Sequence, residues 1–173
     1  MARFDTSGLD DLIREMRRMG QDSGAVAEAM VNAAVIEIRD AWRESAEEHG
    51  LRDTGAMIES IGFNGPVKSI GDALYQDVYP QGKDDKGVRN VEKAFLLHYG
   101  TGSAVGRVRA KDHRSTGGLK ATYWVDDADE KSGQRVQRRL EEMWGEFLET
   151  GKVPAVTDAG GGSAGGGITK TLK

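Results

Sequence analysis

A chain of 173 residues with 38% hydrophobic and only 6% aromatic content, at a mean hydropathy of −0.55, suits one lightly packed domain, or one domain with a tail. It contains no cysteine, which excludes disulfide frameworks, thiol nucleophiles and cysteine-ligated zinc. A net charge of −4 argues against a general DNA-coating protein and leaves room for a local basic surface.

No apolar run approaches the length of a membrane span, and the opening "MARFDTSGLDDLIREM" turns acidic and amphipathic at once, unlike a secretory signal. The expected setting is a cytoplasm or an assembled particle. "GLDDLIREMRRMG" predicts a short helix with Leu9, Leu12, Ile13, Met16 and Met19 on one stripe and Gly20 as its stop. A longer helix is predicted from about Asp22 to about Glu48. Ala27, Val31, Ala34, Val35, Ile38 and Trp42 form its apolar face, and Asp22 or Ser23 its cap.

Gly50 ends that helix, and Asp53 or Thr54 can cap a short turn carrying Met57, Ile58 and Ile61. The period then changes. "SIGFNGPVKSI" and "DALYQDVYP" alternate and are punctuated by Asn64-Gly65-Pro66 and Gly71-Asp72, which predicts two antiparallel strands. "QGKDDKGVRN" reads as a polar loop too rich in glycine and charge to pack. "NVEKAFLLHYG" reads as a helix capped by Asn90, with Val91, Ala94, Phe95 and Leu97 inside and Gly100 as stop. "LKATYWV" is a third predicted strand, leading into a long helix with a stripe of Val136, Leu140, Met143, Trp144, Phe147 and Leu148. The expected fold is α+β: long amphipathic N-terminal and C-terminal helices on a small antiparallel sheet with long loops. Residues 1–150 form its single domain and 151–173 a flexible glycine-rich tail.

Gly100, Gly102 and Gly106, followed by cations, invite comparison with a phosphate-binding loop. A dinucleotide site needs its glycines between a strand and the start of a helix, and here Gly100 closes one. There is no Gly-Lys-Ser/Thr pattern either, so helix stop and loop hinges explain the glycines better. Arg107, Arg109, Lys111, His113 and Arg114 suit contact with nucleic acid or with an acidic partner, a solvated loop being the plainer reading. No aromatic residue is interleaved with them, so a stacking platform is missing from the run itself. His49, His98 and His113 lie far apart, and His98, near a helix end, reads as structural. Asp126, Asp127, Asp129 and Glu130 suit a helix N-terminus better than acid–base chemistry. No enzyme, metal site or cofactor is expected.

The order of pieces resembles the tail-completion, or neck, proteins of long-tailed double-stranded DNA phages. The residues that carry the resemblance are Thr54, Gly55, Met57, Ser60 and Ile61 after the long helix, and Leu97, Tyr99, Gly100 and Thr101 after the middle helix. Tyr123, Trp124 and Ala128 stand before the last helix, without the proline common there in that family. The resemblance covers about residues 5 to 150. It implies a non-enzymatic virion protein, assembled in the bacterial host cytoplasm, that forms a homo-oligomeric ring, commonly sixfold, at the head–tail junction. The implied neighbours are connector or stopper proteins on the head side and a tail terminator or tail tube on the other, with non-specific contact to packaged DNA and none to a membrane. A thin core and a tail that orders on assembly agree with such a subunit. The rival readings are a small nucleic-acid-binding regulator using the basic loop 107–114, a tail terminator, or another minor tail component.

Overall fold

The computed structural model describes residues 7–51, 55–71, 73–101 and 119–158, and within them the chain is α+β. Helix α1, Ser7–Glu48, runs unbroken for 42 residues, so the two helices expected on either side of Gly20 are one. A mid-helix glycine costs only about 1 kcal/mol relative to alanine. Neither Gly20 nor Gly24 adopts positive φ, and Ser23 Oγ bonds Gly20 O at 2.8 Å. Propensity on both flanks outweighs that cost. The C-terminus of α1 is closed as expected by Gly50 at φ 65, with Leu51 N donating to Ala46 O and Gly50 N to Glu47 O.

Helix α4, Trp124–Thr150, packs antiparallel on α1 in the most extensive contact of the molecule. Ser45 Oγ donates to Trp124 O at 2.7 Å, Trp42 Nε1 to Asp129 at 3.2 Å, and Arg135 pairs with Glu44 at 2.8 Å. Small residues make the close approach possible: Ala33, Ala41, Ser45 and Ala46 are buried on α1, and Ala128 and Ser132 on α4. The expected stripes are only partly inside. Val35, Met143 and Phe147 are buried, whereas Trp144 and Leu148 are exposed on the outer side of α4. The core sits where the end of α1 meets the short helices α2, Ala56–Glu59, and α3, Asn90–Tyr99. There Ala46, Met57, Ile58, Ile61, Ala94 and Trp124 cluster, with Trp42, Leu51, Val78, Leu97 and Val125 against them.

The two predicted strands form one interrupted ribbon. Its base pairs β1, Ile61–Gly62, with β4, Tyr79–Pro80, and its tip pairs β2, Lys68–Ile70, with β3, Ala73–Tyr75. Between them the five residues 63–67 face the three residues 76–78, so Asn64-Gly65-Pro66 inserts two extra positions. Gln76 Nε2 spans the gap to Gly65 O at 2.8 Å, and Gly71 turns the tip at φ 59.

Several expectations are corrected. The third strand is absent: Thr122 N and Tyr123 N donate instead to Leu97 O and His98 O, closing the C-terminus of α3, and Trp124 is already helical. Gly55, at φ 73, stands at the N-cap of α2, and Asp53 and Thr54 lie outside the described residues. The N-cap of α3 is Arg89, and Asn90 instead donates its side-chain amide to Gln81 O at 2.7 Å. Phe95 points outward.

The polar loop after β4 is packed rather than loose. Asp84 Oδ1 accepts Val88 N at 2.7 Å and Lys86 N at 3.0 Å, while Oδ2 meets Lys93 Nζ of α3 at 2.5 Å. The lysine's hydrogen bond, aided by the two amides, holds the carboxyl below its usual range. A depressed carboxyl pKa contributes stability above the unfolded value, about 4, and loses it as pH falls through the lower folded value. Thermal melts are therefore expected to show acid destabilisation below about pH 4 that Asp84→Asn blunts, the variant being less stable at neutral pH.

The chain beyond Thr150 is not free at once. Gly151, at φ 64, ends α4 through its N–H to Phe147 O, and Pro154 is buried. Asp158 grips Arg39 of α1 with two 2.8 Å bonds. Arg39, only 6% exposed at its side chain, is raised in pKa by Asp158 first and by Asp40 next. Residues 159–173 lie outside the described residues. Asp158→Asn is expected to cost about 1–2 kcal/mol, between an exposed and a buried pair. It should speed proteolysis within residues 151–158, and unchanged cleavage would count against the clamp.

Candidate assembly surface at the loop stem

The motif Leu97-His98-Tyr99-Gly100-Thr101 builds the base from which residues 102–118 leave the body. Thr101 N donates to Leu119 O at 3.0 Å, and Leu119 N donates to Thr101 Oγ1 at 2.7 Å. The two ends of the segment are thereby pinned together. Thr122 Oγ1 adds a 2.8 Å bond to Leu97 O. Gly100 is required at the crossing: at φ 70 and ψ −178, it occupies a region open essentially only to glycine. A Cβ there would lie 2.5 Å from Leu119 O and 2.7 Å from Ala121 N.

His98 is buried behind this stem. Its Nδ1 accepts Val125 N at 3.3 Å, and Nε2 lies 3.7 Å from Asp126, joining α3 to the first turn of α4. His98 is therefore structural, and Asp126 and Asp127 stand at a helix N-terminus as expected. His49 sits apart and meets Asp127 at 2.7 Å. Among the described residues no three His, Asp or Glu side chains gather as a metal site would need. No described helix is long and apolar enough to cross a membrane.

Outward from the stem the surface is apolar and aromatic. Phe95 is 62% exposed, Tyr99 56% and Tyr123 53%, with Leu96 and Leu119 exposed beside them. Phe95 and Tyr99 pack with ring centroids 4.7 Å apart, and the edge of His98 meets both Tyr99 and Tyr123. Tyr123 holds φ 53, a strained value for a non-glycine residue, at the N-cap of α4.

Arg107, Arg109, Lys111 and Arg114, and also His113, lie outside the described residues, as does Thr54. Gly55 and Ser60 belong to a different place, the α2 turn. There Ser60 Oγ donates to Met57 O and Ser60 O accepts Gln81 N. The two motifs therefore brace separate junctions rather than one site. Sequence reading missed Asp84 and the exposed aromatics. Asp84-Asp85-Lys86-Gly87 did carry a signal, since aspartate first and glycine fourth favour a type I turn. Comparison with protein-family models, curated proteins and solved structures gives no match to this chain, and the family resemblance rests on the motif residues alone.

Proposed function

We propose that this chain is a structural subunit of the ring joining head and tail in a long-tailed double-stranded DNA phage. The observation that supports this reading is the work done by its Tyr99-Gly100-Thr101 motif. Those residues clamp both ends of a 17-residue segment and leave a ring of apolar groups facing outward, a surface suited to contact rather than to catalysis. Connector or stopper proteins would meet one face of such a ring and a tail terminator or tail tube the other. Replacing Arg107, Arg109, Lys111 and Arg114 together by glutamine is expected to leave the fold and melting behaviour unchanged and to lower the yield of joined particles. A normal yield would contradict the proposal.

A second reading, a nucleic-acid-binding regulator, draws support from Tyr99 and Tyr123. They supply at the stem the exposed rings that the basic run itself lacks. It predicts that the isolated chain binds DNA with an affinity falling steeply as salt rises.

A further inference from the structure

The charge of this protein is unevenly divided. Residues 102–118 carry Arg107, Arg109, Lys111 and Arg114 against Asp112 alone, a formal +3, so the remainder of the −4 chain carries −7. On the body, α1 and α2 enclose a cleft of about 400 Å³ lined by Asp40, Arg43, Glu44, Glu47, Ile58 and Glu59. Four carboxylates there face one guanidinium, and Arg43 is turned inward onto Ile61 O and Glu59 O at 2.7 and 3.2 Å. Asp40 and Glu44 share Arg39 and Arg135, whereas Glu47 and Glu59 are exposed at the rim. Ile58 gives the cleft an apolar lining.

We infer that copies of this chain associate head to tail, with the basic segment 102–118 of one copy entering the acidic α1–α2 cleft of the next. Two features favour a second copy. The +3 of the segment matches the four carboxylates and one guanidinium of the cleft, and the same chain supplies both. Docking within one chain would leave Phe95, Tyr99 and Tyr123 exposed, whereas a neighbour's body covers them. The two surfaces differ, so the contact is heterologous and repeats from copy to copy, closing into a ring if the rotation permits. This inference rests on the ring reading for its closure, while the contact itself is tested in solution.

The experiment uses the full chain in two variants, Glu47→Lys with Glu59→Lys, and Arg107→Glu with Arg109→Glu, followed by sedimentation velocity at low and high salt. The wild-type chain is expected to associate, less so in high salt. Each variant alone should associate about tenfold more weakly or worse, with an unchanged circular dichroism melt. An equimolar mixture of the two should recover association, because each now complements the other. A monomeric wild-type chain, variants that associate normally, or a mixture that fails to recover would each overturn the inference. Association indifferent to both variants overturns this contact and leaves the ring reading standing, whereas that reading fails only on intact particles formed without the protein.

Discussion

Replacing Gly100 by alanine is expected to destabilise the protein by about 3 kcal/mol and to lower its melting temperature by roughly 6–12 °C. Two independent penalties meet at this position. The backbone, at φ 70 and ψ −178, lies where an L side chain is disfavoured. The added Cβ would also meet Leu119 O at 2.5 Å and Ala121 N at 2.7 Å, and both are backbone atoms that no rotamer change can move. Relief therefore requires the 119–121 segment to retreat, which breaks the Thr101–Leu119 pair and loosens the donors that close α3. Hydrogen exchange should localise the damage to Thr101, Leu119 and Thr122. A melting temperature within a degree or two of wild type would refute this geometry.

Trp124→Ala is expected to cost about 3–5 kcal/mol, the range for emptying a large buried aromatic site. Trp124 is 0% exposed and meets Trp42 edge-on at a centroid distance of 5.5 Å. It stands where α1, α2, α3 and α4 converge, so the void would touch all four. Its Nε1 is buried without a hydrogen-bond partner. Trp124→Phe should therefore be far milder, since it keeps most of the ring volume and leaves no broken hydrogen bond behind. Urea unfolding of the two variants checks the contrast. Equal losses would place the cost in the indole N–H rather than in packing.

The legible parts of the fold were those governed by local rules. Gly50 and Gly100 marked helix ends because each needs positive φ, and Gly71-Asp72 marked the ribbon tip for the same reason. The boundaries that failed were decided by partners distant in sequence. Gly20 reads as a stop by propensity, yet it lies within one continuous helix. "LKATYWV" has strand composition, but its amides are taken by the carbonyls that α3 leaves open. Apolar periodicity placed Phe95 inside, whereas the narrow α3 buries only Asn90, Ala94 and His98, the three positions spaced four apart. Polarity suggested a flexible tail immediately after Thr150, and only the meeting of Asp158 with Arg39, 119 residues apart, holds residues 151–158. The motif around Gly100 was visible in sequence. Its purpose, a clasp beneath an exposed aromatic surface, required Tyr123 and Leu119 to be brought back beside it.

The most direct test of the neck reading is electron microscopy of the particles made when this gene is silenced. The account predicts filled heads lying beside separate tails of normal length. Intact, joined particles would contradict it.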